Sequence, residues 1–281
     1  MKKTFIRQGD TAVLVGPAEE MRLEYAAYER FRHWLGPNHT LLAQVLDFRD
    51  LGELARLTLE FVPGQSLEAL LQNRQHEKAT VIVRAVLKLL ASWEDRSMPG
   101  DRAILAAELK QSIESRLERL RALGVARELS ELWDYLKHSV FMSDFRLHIC
   151  HRDLQAGNII LEPSGRVRLI DPRFALHGSR LDTPGHVLID LVQLKCSLER
   201  SWATPEPGHE HRVRLAQTVS EVIDRVNEYT HKPKLYHLVA TQRYLNLYYH
   251  LSRAGRSEAA DMAHQEAKKN IRRLISGCWI K

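Results

Sequence analysis

Three oxygen-bearing side chains stand close together in the segment of residues 148–173, which reads HICHRDLQAGNIILEPSGRVRLIDPR. They are Asp153, Asn158 and Asp171. One amide oxygen and one carboxylate oxygen are suitable ligands for Mg²⁺. The ion fills its other coordination positions with water and phosphate oxygens. A second carboxylate beside such a site can accept a proton from an attacking hydroxyl. The segment therefore predicts metal-assisted phosphoryl transfer.

Two short strands are predicted around these residues. Ile159–Leu161 directly follows Asn158, Val167–Ile170 directly precedes Asp171, and a Pro-Ser-Gly sequence typical of a tight turn joins the two runs. A hairpin of this kind brings its outer ends together. We therefore expect Asn158 and Asp171 to converge at one edge, with Asp153 close by in the loop before the first strand.

The rest of the chain changes character near residue 64. Before it, strand-like runs are predicted at Lys3–Gln8, Thr11–Val15, Leu42–Phe48 and Arg56–Val62, with one helix at Met21–Leu35. After it, helical spacing dominates from Ser66, a predicted N-cap, through the runs 67–71, 81–93, 103–123 and 129–138, and again from about residue 189. We predict an α+β fold in which residues 1–64 form an N-lobe of strands and one helix. Residues 65–281 then form a helical C-lobe that carries the catalytic loop and the metal-binding hairpin.

Two motifs resemble a known superfamily. The run HRDLQAGN at residues 151–158 resembles the protein-kinase catalytic loop, H-x-D-L-x-x-x-N. The run IDP at residues 170–172 resembles the metal-binding aspartate of the aminoglycoside phosphotransferase and choline kinase branch, where protein kinases have Asp-Phe-Gly. The resemblance implies a bilobal protein-kinase-like fold with a small, reduced antiparallel sheet in the N-lobe. It also implies that Asp153 is the catalytic base and that Asn158 and Asp171 bind Mg²⁺ beside ATP.

A third stretch resembles the nucleotide hinge of such kinases. Residues 59–64 read LEFVPG and precede Ser66. The resemblance implies that the Glu60 carbonyl and the Val62 amide contact adenine, so both are predicted nucleotide-binding residues. A strand end followed by a turn is the alternative interpretation.

The phosphate-binding lysine of this fold is missing from its usual place. Glu24 falls where these folds carry the helix glutamate that pairs with that lysine, although a surface glutamate is the alternative. The strand that should supply the lysine has Leu14 instead, and no glycine-rich loop is visible before it. Losing a cation at a triphosphate site weakens transition-state stabilisation. Lys2, Lys3 and Arg7 on the neighbouring strand are candidate replacements.

The acceptor is predicted to be a small molecule rather than a protein. Gln155 stands where protein kinases usually have lysine, and no Ala-Pro-Glu motif follows Asp171. The resemblance therefore implies transfer of the γ-phosphoryl group of ATP to a hydroxyl of a sugar or amino-alcohol-like compound. Arg173 either touches a phosphate or an anionic acceptor, or braces the loop. A pseudokinase that binds nucleotide as a regulator or scaffold stays open as an alternative, and so does an atypical protein kinase.

The helix predicted at residues 235–251 is a candidate wall of the acceptor pocket. Its polar and aromatic residues are Tyr236, Arg243, Tyr244 and Tyr248. An aromatic core stripe at helical spacing is the alternative interpretation.

Composition narrows the cellular setting. The three cysteines, Cys150, Cys196 and Cys278, form no CxxC pair, which favours a reducing compartment and a cytoplasmic protein. No apolar run approaches the roughly 18 residues of a membrane span. The net charge is +6, but the chain lacks nucleic-acid motifs, so no nucleic acid partner is expected. The basic run from Lys268 to Arg273 leaves peripheral contact with an anionic membrane open beside a solvated helix face, and the oligomeric state is left open.

Overall fold

The computed structural model describes residues 3–36, 39–125, 127–137, 146–176, 184–199, 209–230 and 233–277. In chain order the elements are β1 (Thr4–Gln8), β2 (Thr11–Pro17), α1 (Ala18–Leu35), β3 (Val45–Asp50), β4 (Leu54–Glu60), β5 (Gln65–Ser66), α2 (Leu67–Gln72), α3 (His76–Glu94), α4 (Arg102–Ala122), α5 (Arg127–Leu136), β6 (Ile159–Leu161), β7 (Val167–Leu169), α6 (Val187–Glu199), α7 (His209–Thr230), α8 (Pro233–Arg253) and α9 (Ser257–Gly277). The predicted α+β class is confirmed, with an antiparallel sheet first and a mainly helical remainder.

The chain divides into two compact units. The first unit is Met1–Leu89 with His151–Phe174, and the second is Leu90–Cys150 with Ala175–Lys281. The first unit contains all five predicted site residues. The predicted lobe boundary between residues 64 and 65 stays a prediction.

The first unit is built on a four-stranded antiparallel sheet in the order β1-β2-β4-β3. β1 is an edge strand that pairs with β2 from Thr4↔Val15 to Gln8↔Thr11. The turn between them uses Gly9 at a φ of 61°, a left-handed conformation that glycine adopts without steric cost. β4 alternates half-buried and buried residues, as expected for a strand with one face on a core.

Helix α1 covers the inner face of this sheet with a narrow stripe of buried side chains. Met21, Tyr28 and Phe31 are buried along it, at the three- and four-residue steps of one helix face. Glu24 occupies the same stripe. Acidic residues in the first turn and basic residues in the last turn complement the helix dipole, and the helix ends at Gly36, whose φ is 89°.

One predicted strand is displaced. The strand predicted from Leu42 does not pair with β4 at its start. Leu42 instead forms a parallel bridge with Leu169 of β7, and the Ala43 amide donates to the Leu169 carbonyl at 3.4 Å. The run is apolar because it is buried against the β6–β7 hairpin, not because it pairs with β4. Pairing with β4 therefore starts only at Val45.

The second sheet of the first unit, β5-β6-β7, holds the predicted hairpin. β6 and β7 pair with Ile159 opposite Leu169, so the strands at 159–161 and 167–170 are confirmed to within one residue. Gly64 precedes β5 with a φ of 135°. Any Cβ at this position would collide with the Leu161 carbonyl, so the chain approaches β6 closely only because residue 64 is glycine.

Ser66 caps α2 as predicted. Its hydroxyl accepts a hydrogen bond from the Ala69 amide at 3.1 Å. We expect Ser66→Ala to lower the free energy of unfolding by about 1 kcal/mol, because one N-terminal amide loses its acceptor. Urea unfolding followed by circular dichroism measures this loss. Ser66→Asp keeps an acceptor and should stay close to wild type, and equal losses in both variants would contradict the capping role.

The second unit is helical. α8 packs against α9, α4 and α6, and α9 also packs against α5. Tyr244 and Tyr248 on α8 are buried, and their hydroxyls bond to the Glu199 carboxylate at 3.1 Å and to the Val125 carbonyl at 2.9 Å. These contacts favour the core interpretation for the two tyrosines rather than an open pocket wall.

Two side chains of the basic run on α9 form ion pairs within the protein. Lys268 and Arg272 both contact the Glu128 carboxylate, at 2.5 and 3.7 Å. In the described part of the chain, no helix has both the length and the apolar composition that a membrane crossing requires. The predicted helix end at His138, and Cys278, lie outside the described residues.

Candidate active site

The hairpin brings two of the predicted metal ligands to one edge. The Ile170 amide donates to the Asn158 carbonyl at 3.0 Å, so Asn158 lies opposite the residue that precedes Asp171. Asp171 has a φ of 56°, a left-handed conformation that is uncommon for a residue with a side chain. The Asn158 side-chain amide donates to the Asp153 carbonyl at 2.9 Å. All three predicted residues therefore meet at this edge.

Arg173 braces the loop that carries Asp153. Its Nε lies 3.0 Å from Asp153 Oδ2, and its backbone amide donates to the His151 carbonyl at 3.0 Å. Burial alone would lower the pKa of Arg173, but the negative charges of Asp153 and Asp171 raise it. A permanently charged guanidinium thus orients the Asp153 carboxylate, as one of the two interpretations of Arg173 predicts.

Lys3 is the cation that forms an ion pair with Glu24. Lys3 Nζ lies 2.5 Å from Glu24 Oε2 and 3.7 Å from Asp171 Oδ1. Burial raises the pKa of Glu24, although Lys3 opposes the shift. Only 9% of the Glu24 side chain is exposed, so the alternative of a surface glutamate is wrong.

The other described candidate, Arg7, makes different contacts. Arg7 stacks its guanidinium 3.9 Å from the centre of the Phe61 ring and donates to the Gly9 carbonyl at 3.1 Å. Lys2 lies outside the described residues. Leu14, which stands where the lysine was expected, is buried in the hydrophobic core of the first unit.

Tyr28 is part of this site, and the sequence analysis missed it. Its hydroxyl accepts a hydrogen bond from the Asp171 amide at 3.1 Å, and burial raises the pKa of Tyr28, so the phenol stays neutral. The signal was present in the sequence. Tyr28 follows Glu24 by one helical turn, and residues four apart on a helix share a face.

The predicted hinge residues lie at the end of β4. Glu60 is the last residue of that strand, and Val62, two residues on, is buried. The Glu60 amide donates to the Gln44 carbonyl at 2.8 Å. Adenine contact through the Glu60 carbonyl and the Val62 amide stays a prediction.

The Glu60 carboxylate is held by a second residue that the sequence analysis missed. Arg168 donates both terminal nitrogens to Glu60, at 3.2 and 2.7 Å, and also bonds to Glu162 at 3.1 Å and to the Leu42 carbonyl at 2.9 Å. Only 4% of Arg168 is exposed. Glu162 lies across the same hairpin, but Glu60 and Leu42 come from distant parts of the chain, and nothing in the local pattern around residue 168 indicates these two partners.

The donor set at Asn158 and Asp171 fits Mg²⁺. The Asn158 amide nitrogen donates to the Asp153 carbonyl, so the other end of the side chain carries the oxygen that a metal ion would bind. Among the described residues, no group of three or more His, Cys, Asp and Glu side chains forms a metal cage. A site with one carboxylate and one amide leaves the positions that Mg²⁺ fills with water and phosphate oxygens.

Comparisons with known proteins identify the family and the fold. The model of the phosphotransferase enzyme family (APH) matches residues 5–210. No curated protein matches the chain. A thermostable mutant of the aminoglycoside phosphotransferase APH(4)-Ia, solved with AMP-PNP and hygromycin B, aligns with a TM-score of 0.54 and 14% identity, over 96% of this chain and 93% of that one.

A second solved structure shows the same fold. It is the aminoglycoside phosphotransferase APH(3'')-Id from Streptomyces rimosus in complex with ADP and streptomycin. The TM-score is 0.52 and the identity 19%, over 76% of this chain and 78% of that one. The family match covers most of the chain and includes Asp153, Asn158 and Asp171. The chain therefore belongs to the phosphotransferase enzyme family and is a kinase-like phosphotransferase.

Proposed function

We propose that this protein transfers the γ-phosphoryl group of ATP to a hydroxyl of a small molecule, of the sugar or amino-alcohol type. One observation carries the proposal: Asn158 bonds to the loop of Asp153 and lies across the hairpin from the residue before Asp171. The solved structures with a similar fold hold ADP with streptomycin, or AMP-PNP with hygromycin B. They support a nucleotide and a polyhydroxylated acceptor.

Asp153 is the proton acceptor in this proposal. The acceptor oxygen attacks the γ-phosphorus, the bond from that phosphorus to the β–γ bridging oxygen breaks, and the hydroxyl proton passes to Asp153. Arg173 Nε lies 3.0 Å from Oδ2 of Asp153, so the guanidinium orients the carboxylate that takes the proton. ADP carries away the electron pair of the broken bond.

Asn158 and Asp171 are the residues that would hold Mg²⁺. When bound, the ion neutralises charge on the phosphate oxygens and orients them for in-line transfer. The side-chain oxygen of Asn158 and the carboxylate of Asp171 supply hard ligands. Tyr28 holds the backbone of Asp171 through its amide.

Thermal unfolding tests the proposal. ATP with Mg²⁺ should stabilise the protein by about 2.7 kcal/mol at a ligand concentration a hundred times Kd, and EDTA should remove most of this gain. Asp171→Asn should lose the metal-dependent part because one anionic ligand is gone, whereas Asp224→Asn, an exposed change on α7, should behave like wild type. If no nucleotide stabilises the wild type in the presence of Mg²⁺, the proposal is wrong.

Turnover separates the alternative functions. A pseudokinase would show the same stabilisation but release no ADP with any hydroxyl compound. An atypical protein kinase would instead incorporate labelled phosphate into protein, and Asp153→Ala would abolish the label. ADP release that depends on a small hydroxyl compound is the result expected here.

A further inference from the structure

The register of β1 and β2 places Lys3 beside the position that lacks a lysine. Phe5 pairs with Leu14, and directly paired residues of antiparallel strands point to the same face. Lys3, two residues before Phe5, shares that face. It is thus the diagonal neighbour of Leu14, at a separation of roughly 7–8 Å that a long side chain spans.

Lys3 lies beside Gly16, and its side chain reaches helix α1. A Cβ on Gly16 would lie 3.5 Å from both Cα and Cβ of Lys3, which is ordinary van der Waals contact, and 3.2 Å from the Met21 sulfur. The lysine side chain extends past residue 16 toward α1, where its ammonium group bonds to Glu24.

The Lys3 ammonium group has donors left for a ligand. Its Nζ bonds to Glu24 and lies 3.7 Å from Asp171. An ammonium has three donors, and 29% of the Lys3 side chain is exposed. The buried Glu24 carboxylate fixes the end of the side chain next to a proposed metal ligand.

From this geometry we propose that Lys3 binds the α- and β-phosphates of the nucleotide. A lysine of the edge strand β1 thus replaces the one that β2 lacks. The phosphate oxygens bind between Lys3 on one side and the ligands Asn158 and Asp171 on the other. This inference rests on the proposed function, because it needs a nucleotide in the site.

A purely structural ion pair is the competing explanation, and ligands that differ only in phosphates separate the two. Binding of adenosine, ADP and ATP is measured by titration calorimetry with Mg²⁺ present. Lys3→Met should weaken ADP and ATP binding by about ten- to a hundredfold, the usual range for losing a hydrogen bond to a charged group. Adenosine affinity should not change. Lys269→Met, an exposed lysine on α9, serves as the matched control.

Two further variants guard against a folding defect. Lys3→Met leaves Glu24 buried without its partner, so Lys3→Met/Glu24→Gln removes that charge and should keep the same loss of phosphate affinity with a restored melting temperature. Lys3→Arg keeps a cation and should retain most of the affinity for ATP.

The outcomes are distinct. Wild-type affinity for ATP in Lys3→Met, or an equal loss for adenosine, overturns the role of Lys3 and leaves the proposed function intact. A wild type that binds neither ADP nor ATP overturns both.

Discussion

Asp153→Asn should lower kcat by about a hundred- to ten-thousandfold, the range lost when a general base is removed. ATP affinity should stay at the wild-type level. Asparagine keeps the size of the side chain but cannot take the proton of the acceptor hydroxyl. Steady-state ADP release with a small hydroxyl acceptor, together with calorimetric Kd values for ATP, measures both quantities. Asp224→Asn is the matched control on an exposed helix face.

Asp153 also forms an ion pair with Arg173, so a second variant must separate the loss of the base from the loss of this ion pair. If Asp153→Asn acted only by releasing the guanidinium that lies 3.0 Å away, Arg173→Met would lower kcat equally. We expect a smaller loss in Arg173→Met, since Asp153 keeps its charge and loses only its orientation. Equal kcat values in the two variants would assign Asp153 a structural role instead.

Arg168→Met should destabilise the first unit by about 3–5 kcal/mol, the range for removing one partner of a buried ion pair. Arg168 is buried, and its guanidinium bonds to the carboxylates of Glu60 and Glu162. Without this cation, both carboxylates lose the guanidinium that they share, and the exposed Arg166, 3.3 Å from Glu162 Oε2, compensates only part of the charge. Urea unfolding followed by circular dichroism gives the difference in free energy.

A neutralised variant is the control for Arg168. In Arg168→Met/Glu60→Gln/Glu162→Gln the buried charges of this cluster are gone, and most of the lost stability should return. If the triple variant were as unstable as the single one, the effect would come from packing rather than from charge.

The stability of the Arg168 site should depend on pH in a defined direction. Burial raises the pKa of Glu60, but the hydrogen bonds from Arg168 and the Gln44 amide, together with the charges of Arg168 and Arg166, lower that pKa below the ordinary value of 4.5. A lowered folded-state pKa contributes stability above the ordinary value, and this contribution disappears as pH falls through the folded value. The difference between wild type and Arg168→Met should therefore shrink in acid.

The sequence alone determined the hairpin and the residues at its ends. Asn158 and Asp171 are joined by a short strand, a tight turn and a second short strand, so local pairing by itself brings them together. The loop that carries Asp153 lies directly before Asn158 in the sequence. Periodicity likewise determined α1, its end at Gly36 and the cap at Ser66. These features depend on interactions between near neighbours in the chain, which is why a pattern can predict them.

Only the tertiary structure decided which cation meets Glu24 and which residues hold Asp171 and Glu60. The sequence left three candidates for the cation, and the choice of Lys3 depends on the register of β1 and the position of α1. Tyr28 and Asp171 are 143 residues apart, and Arg168 and Glu60 are 108 apart. Such contacts form because packing brings distant segments together around a shared core, and no local propensity encodes that arrangement.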